Sequence, residues 1–377
     1  MKEPKIRFKG FSGEWEKVKI QDICSKANST HSENSLGENT GNYPIFGANG
    51  YLQNITTFDF NSPYIGIIKD GSGVGRSQLY PAFSSILGTM QYILPKEDIN
   101  ISFLAYLFET IDFSMYINGS SIPHIYFKDY CEQDEYIPSI AEQRAIASYF
   151  QHLDALIQST TKKIESLKQV KAASLQSMFP QEGETTPRVR FKGFEGEWEK
   201  VRLGDCFIER IENNIYGEML SVTINNGIIK ASDNGRFDNS NNDKSKYKVV
   251  RVGDIAYNTM RMWQGASGYS CYDGIVSPAY TVITPQTEID SLFFAYMFKT
   301  QHMIALFGLH SQGLTKDTWN LKFPALSLIH ILRPNSIAEQ RAIAFYFSTL
   351  DRQITLQTQR LEKLKQIKSA CLDNMFV

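Results

Sequence analysis

One twelve-residue phrase occurs twice in this chain, and no other feature restricts the possible fold as strongly. Arg7-Phe8-Lys9-Gly10-Phe11-Ser12-Gly13-Glu14-Trp15-Glu16-Lys17-Val18 returns as Arg190-Phe191-Lys192-Gly193-Phe194-Glu195-Gly196-Glu197-Trp198-Glu199-Lys200-Val201, shifted by 183. Phe103-Leu104-Ala105-Tyr106-Leu107-Phe108 returns as Phe293-Phe294-Ala295-Tyr296-Met297-Phe298, shifted by 190. Ser139-Ile140-Ala141-Glu142-Gln143-Arg144-Ala145-Ile146-Ala147 returns unchanged from Ser336 to Ala344, shifted by 197. Three landmarks in one order, at growing offsets, mean two homologous halves, with extra loop in the second. Residues 25–97 and 208–287 share no such match, so constant frames enclose two different middles.

Each half closes on about forty residues without Pro or Gly, with apolar residues three and four apart. The first seam runs Ile146, Phe150, Leu153, Ile157, Ile164, Leu167 and Met178, with Thr160, Lys171 and Ser174 as polar members. The second runs Ile343, Phe347, Leu350, Ile354, Leu361, Leu364 and Met375, with Gln357, Lys368 and Cys371 in the matching places. This is coiled-coil spacing with polar interruptions. Ser139 precedes Glu142 by three, as Ser336 precedes Glu339, which predicts a capping box at each helix start. Pro180 and the Gln181–Pro187 stretch end the first helix and supply a linker. At 1.5 Å per residue such a helix is roughly 57 Å long. Two of them in one chain, related by a pseudo-dyad, are expected to pair antiparallel, with a variable domain at either end and an outer face free for docking. Phe150, Leu153, Ile157, Ile164, Leu167, Phe347, Leu350, Ile354, Leu361 and Leu364 are the residues expected to hold the helices and support that docking. A dimerisation coiled coil is the plainer reading of either helix alone.

Both variable middles carry segments suited to close contact with a polyanion. In the first, the apolar strand Tyr64–Ile68 runs into Lys69-Asp70-Gly71-Ser72-Gly73-Val74-Gly75-Arg76-Ser77. Its glycines are spaced GxGxG rather than as a phosphate loop, so the choice lies between a plain hairpin turn and a close backbone approach with Lys69, Arg76, Ser77 and Gln78 at a nucleic-acid groove. In the second, Asn241-Asn242-Asp243-Lys244-Ser245-Lys246-Tyr247-Lys248 is basic with one aromatic. Lys244, Lys246 and Tyr247 read there as a phosphate-contacting cluster, against the alternative of a merely solvated run. Further on, Gly253-Asp254-Ile255-Ala256-Tyr257-Asn258-Thr259-Met260-Arg261-Met262-Trp263-Gln264 offers Asn258, Arg261 and Gln264, residue types that pair with purine edges in the major groove. Trp263 reads first as a packing residue.

Charge argues the other way. The net charge is −1, and residues 1–140 hold 11 basic against 16 acidic side chains. A protein gripping DNA alone by phosphate neutralisation is normally basic, so either this one does not bind DNA or partners contribute to the grip. The five cysteines are scattered and never spaced as CxxC, as expected for reduced thiols. The six histidines show no metal-ligand spacing, and there is no GxSxG elbow, no Asn/Asp-Pro-Pro-Tyr/Phe element and no nuclease-type acidic pattern. No catalytic residue and no metal site is therefore assigned. The paired acids around Trp15 and Trp198 read as solvated flanks of a tryptophan plug. No apolar run approaches the ~20 residues of a membrane span, and the mixed-charge N-terminus does not resemble a signal peptide.

Taken together, the duplicated Phe-x-Gly-Phe-x-Gly-x-Trp openings, the Pro138-Ser139-Ile140-Ala141-Glu142-Gln143-Arg144 helix start, Gly253–Asn258 and Gly274-Ile275-Val276-Ser277-Pro278-Ala279-Tyr280 closely resemble the type I restriction-modification specificity subunits (HsdS). The resemblance covers essentially the whole chain. It implies an α+β architecture with two mixed α/β target-recognition domains, residues 1–138 and 181–335, separated by two long antiparallel coiled-coil helical regions, 139–180 and 336–377. It implies a cytoplasmic, non-catalytic subunit in which each domain reads one half of a bipartite, asymmetric DNA target while the helices set the spacing. The implied partners are double-stranded DNA, two DNA methyltransferase subunits and two restriction/translocase subunits. S-adenosylmethionine, ATP and Mg2+ would be bound by those partners and none by this chain. A coiled-coil scaffold without DNA contact is the competing reading. Before the second helix, Phe323–Asn335 is expected to be longer than its counterpart ending at Pro138.

Overall fold

Repeated sequence ought to give repeated structure, and the computed structural model, which describes residues 3–224, 226–234 and 244–377, resolves into two compact units. The first comprises residues 1–162 with 359–377, and the second residues 163–358. The units do not follow the expected domain limits: neither helical region stands apart as a domain, because each unit takes part of both long helices.

In the first unit, strand Glu16–Lys19 pairs antiparallel with Asp134–Ile137, so the opening phrase is tied to the residues that lead into the first long helix. An antiparallel four-stranded sheet follows, in the spatial order Cys24–Asn28, Met90–Pro95, Tyr64–Ile68, Ser77–Tyr80. A smaller sheet of Tyr43–Gly47, Gly50–Ile55 and Ser85–Ile86 lies beside it in the chain order. Tyr64–Ile68 is buried along its whole length. Helix Ile101–Thr110, which carries the second landmark, buries Phe103, Leu104, Leu107 and Phe108.

The second unit repeats this plan. Glu199–Arg202 pairs with His330–Arg333. Its four-stranded antiparallel sheet has the order Phe207–Glu209, Tyr280–Pro285, Ile255–Asn258, Ser267–Tyr269. The middles that share no recognisable sequence thus share a sheet. Apolar alternation can be met by many side chains, so the topology persists while the letters drift. The second unit adds a hairpin, Leu220–Thr223 with Gly227–Lys230, and a pair, Lys248–Val250 with Gly274–Val276. The extra length expected as loop is in part helix: Gln301–His310 stands where the first unit has the short turn Phe113–Tyr116. The segment Phe323–Asn335 is not the expected anomaly. A one-turn helix, Phe323–Leu326, and a strand at His330 match Phe127–Tyr130 and a strand at Asp134, and the insertion amounts to one residue, Asn335, after Pro334.

The long helices span Ile140–Ser177 and Ile337–Met375. Every expected seam position from Ile146 to Met178 and from Ile343 to Met375 is buried or half-buried, amid exposed neighbours such as Glu165 and Glu362. Within the first unit Tyr149 meets Cys371 (3.4 Å) and Asp154 meets Lys368 (2.9 Å). Within the second, Lys171 meets Asp351 (2.5 Å) and Ser174 meets Tyr346 (2.9 Å). Later residues of one helix face earlier residues of the other, so the pair is antiparallel in each unit. The two lysine interruptions are also explained. Lys368 reaches Asp154 and Glu109, while Tyr106 donates its hydroxyl to Asp154 (2.8 Å). Lys171 reaches Asp351, and Tyr296 donates to the same carboxylate (2.9 Å). A partly buried charge that finds its partner at only one alignment penalises every other register.

The serine-glutamate pairs at the helix starts do not form the expected capping boxes. Glu142 is instead gripped by both arms of Arg7 (2.7 and 2.8 Å), and Glu339 by both arms of Arg190 at the same distances. The glutamates are 2% exposed. Only Ser336 caps its helix, accepting from the Glu339 amide at 3.4 Å. The neighbouring glutamines reach the other landmark: Gln143 accepts from the Asn100 amide (3.0 Å), and Gln340 from the Asp290 amide (2.9 Å), each at the start of a landmark helix. Arg, Glu and Gln therefore join all three repeated phrases at one junction per unit, with Trp15 and Trp198 buried beside it as expected of plugs.

Candidate nucleic-acid interface

Two of the three segments singled out for their side chains prove to be the same loop in the two units. Lys69–Arg76 connects strands Tyr64–Ile68 and Ser77–Tyr80, and Thr259–Ala266 connects Ile255–Asn258 and Ser267–Tyr269. Each is backed by a second loop that the sequence reading did not single out. In the first unit this is Asn118–His124, closed by a bridge between its ends, with His124 also bridged to Asp70. The amide of Ile125 then donates to the carbonyl of Lys69 (2.8 Å). In the second unit it is Gln312–Asn320, again bridged at its ends, and the Leu321 amide donates to the carbonyl of Thr259 (2.9 Å). Ile125 and Leu321 are buried, so both loop pairs stand on an anchored base. The signal was present as Gly119-Ser120-Ser121 and Gly313-Leu314-Thr315, small turn-forming clusters ahead of the segment that returns to the long helix.

In the first unit Arg76 and Gln78 are exposed, and Lys69 and Ser77 are half-buried. Lys69 lies 3.6 Å from Asp70. The Arg76 guanidinium folds over Gly73, where a Cβ would stand 2.5 Å from its Nε, and Gly75 is closed against Phe113 in the same way at 2.9 Å. These glycines serve close packing within the turn as well as its positive φ, so the plain hairpin reading accounts for part of the motif. Arg76 also donates to the carbonyl of Ala48 (3.3 Å), leaving most of its edge outward.

In the second unit Arg261 is exposed and Gln264 half-buried. Asn258 is a turn residue: its side-chain oxygen accepts from the Met260 amide at 3.0 Å. Trp263 is pinned by its indole N–H to the carbonyl of Met260 (3.0 Å) and stands edge-on to Trp319 of the second loop, with centroids 5.5 Å apart. Lys316 lies over the Trp263 ring at 5.9 Å. Arg261, Lys316 and the two tryptophans thus make a basic and aromatic cluster at the loop pair. The cluster expected at Lys244–Lys248 is not of this kind. Tyr247 is 5% exposed and packs inward, and Lys248 pairs with Glu209 (3.5 Å). Lys246 is exposed and Lys244 half-buried, while Asn241, Asn242 and Asp243 lie outside the described residues.

Duplicated frames, one plan of sheet and divergent loop pairs agree with the sequence comparison. The profile of the type I restriction modification DNA specificity domain matches residues 12–169 and again 195–366. The chain belongs to that family. It is accordingly a DNA-recognition subunit of the type I restriction-modification class, built from two specificity domains in one chain. Among solved structures it is similar to the S subunit of a type I restriction-modification system from M. genitalium, at 16% identity over 100% of this chain and 99% of that one, with a TM-score of 0.68. That likeness supports the fold. It is also similar to the HsdS subunit from Thermoanaerobacter tengcongensis, at 15% identity over 97% of both chains with a TM-score of 0.45. A structure described as underlying complex assembly and conformational transition of the type I R-M system matches at 14% identity over 97% and 98%, with a TM-score of 0.49. No curated protein sequence gives a match. Among the described residues, no group of His, Cys, Asp and Glu is arranged to hold a metal ion, and no helix is long and apolar enough to cross a membrane.

Proposed function

We propose that each unit reads one half of a bipartite, asymmetric target on double-stranded DNA through its pair of loops, and that the long helices set the spacing and dock two DNA methyltransferase subunits. The observation that carries this is the topological equivalence of Lys69–Arg76 and Thr259–Ala266, each seconded by a bridged loop, with unrelated side chains on the same scaffold. One plan bearing two sets of contacts is what reading two different half-sites requires. Arg76, Gln78, Arg261 and Gln264 are the base-reading candidates, and Lys69, Lys244, Lys246 and Lys316 supply phosphate contact. Two restriction/translocase subunits complete the assembly. S-adenosylmethionine, ATP and Mg2+ belong to the partner subunits, and this chain is a non-catalytic cytoplasmic component of defence against foreign DNA. The net charge of −1 is then accommodated because the methyltransferases share the phosphate contacts.

Footprinting of the chain assembled with its methyltransferase tests the proposal. A two-part protected sequence is expected, and an assembled complex without protection would favour a scaffold that leaves DNA to its partners. Within that assay Lys316→Ala should weaken binding to all sequences alike and lower the salt slope by about one, whereas Arg261→Ala should cost about 1–3 kcal/mol at one base pair and relax specificity there. Uniform loss from both would deny Arg261 a reading role. For docking, Leu153→Asn and Leu350→Asn replace residues 7% and 8% exposed in the two seams. Both should lower the mass of the assembled complex by light scattering, and an unchanged mass would remove the seam from assembly.

A further inference from the structure

Lys299 occupies a frame position but does not serve the frame. It follows the landmark Phe293–Phe298 as Glu109 follows Phe103–Phe108, at the same offset of 190. Glu109 faces the long helices, accepting an ion pair from Lys368 (3.1 Å). Lys299 has the opposite charge and turns the other way. Its ammonium donates to the carbonyls of Gly265 (2.6 Å), Ser267 (2.8 Å) and Ile224 (3.0 Å). The first belongs to the end of the loop, the second to the start of the strand after it, and the third to the turn of the hairpin Leu220–Thr223/Gly227–Lys230. That hairpin also rests on the strand that follows the loop: a Cβ at Gly268 would lie 2.6 Å from the Cα of Gly227. Three carbonyls on one ammonium use all three of its donors. Burial, with a smaller contribution from Lys171, pushes this lysine down to about 8. A cation held there against such an environment is compensated by those carbonyls and by nothing else among the described contacts.

We infer that Lys299 is a positioning residue for recognition, clamping the loop Thr259–Ala266 to the neighbouring hairpin so that the second unit presents its base-reading side chains in one fixed geometry. It touches no base. It acts through the loop, as a support shell acts on a binding constellation. The first unit has no such clamp at the corresponding position, because Glu109 is committed to Lys368 there. The inference rests on the reading that each unit recognises its own half-site, and it predicts an effect confined to one half.

The test uses the full chain co-expressed with its methyltransferase, acting on a randomised plasmid library whose methylated sites are then sequenced. In Lys299→Met the half of the motif owed to the second unit should become degenerate, with discrimination against single mismatches down about tenfold, while the other half stays sharp. Lys299→Gln, which keeps two donors, should fall between. Backbone hydrogen exchange on the same proteins should quicken for the amides of Arg261, Gly265 and Ala266 and not for those of the four-stranded sheet. Equal blurring of both halves, an unaltered motif, or exchange that quickens throughout the unit would each overturn the clamp, as would failure of both variants to fold. A wild-type complex with no two-part motif would instead sink the half-site reading, and the exchange experiment would still decide the clamp.

Discussion

Replacing residues 208–335 by the matching segment of a relative with a different target will rewrite one half of the methylated sequence and leave the other half intact. The expectation follows from where the contacts of the second reader lie. Its sheet, hairpin and both loops fall in the chain between Trp198 and Glu339, frame residues that meet with Arg190 at one junction. The exchanged segment includes the landmark Phe293–Phe298, which packs on frame residues Phe179, Trp198 and Phe347, so a donor that keeps aromatic residues there is needed for the chimera to fold. Sequencing of methylated genomic DNA reads the result. A change in both halves would mean that the two units do not read independently. With mismatches in such sites costing about 1–3 kcal/mol each, exchange of several contacts should abolish methylation at the old half-site.

Arg7→Ala and Arg190→Ala should be the most destabilising single substitutions in the frame. Each would strip a bidentate partner from a carboxylate that is 2% exposed, while the arginine side chains themselves are 16% and 17% exposed. Leaving a buried charge unpaired costs about 3–5 kcal/mol, a large part of the 5–15 kcal/mol that typically holds a domain together. Calorimetry should show Arg7→Ala lowering the transition of the first unit and Arg190→Ala that of the second. The double variant Arg190→Ala/Glu339→Gln should recover part of the loss, since the remaining amide is neutral. If the double variant is no more stable than the single one, the damage lies in lost packing of the opening phrase and not in the stranded charge.

The helices were legible because a seam of three-four spacing over ten turns leaves few alternatives, and every position named for it is shielded. Their start signals were legible only in part. Ser139 and Glu142 have the spacing of a local cap, but Arg7 lies 135 residues away in sequence and supplies a stronger, charge-assisted bond. Local rules rank local partners and are blind to such a competitor. The two loops proposed to read DNA were singled out through glycine and purine-pairing residue types, whereas their equivalence was hidden, since it resides in strand order and not in letters. Tyr247 misled for a related reason: charge and aromaticity in a run say nothing of which side chain the strand turns inward, and Tyr247 goes in. The basic and aromatic cluster that does exist draws Arg261 and Trp263 from one loop and Lys316 and Trp319 from another, more than fifty residues on.

The division of the long helices between the units bears on the order in which the protein can be made. Every residue of the second unit lies between 163 and 358, but the first also needs 359–377, whose Met375 and Phe376 pack against Trp15, Phe103 and Phe150. A ribosome therefore completes the ingredients of the second reader before those of the first. The cluster of Trp15, Phe103 and Phe150 must wait without the Phe376 ring from the making of the first long helix to the end of the second. Nascent-chain folding is expected to run backwards here, and a chaperone acting during translation would find its longest-lived client surface around Trp15.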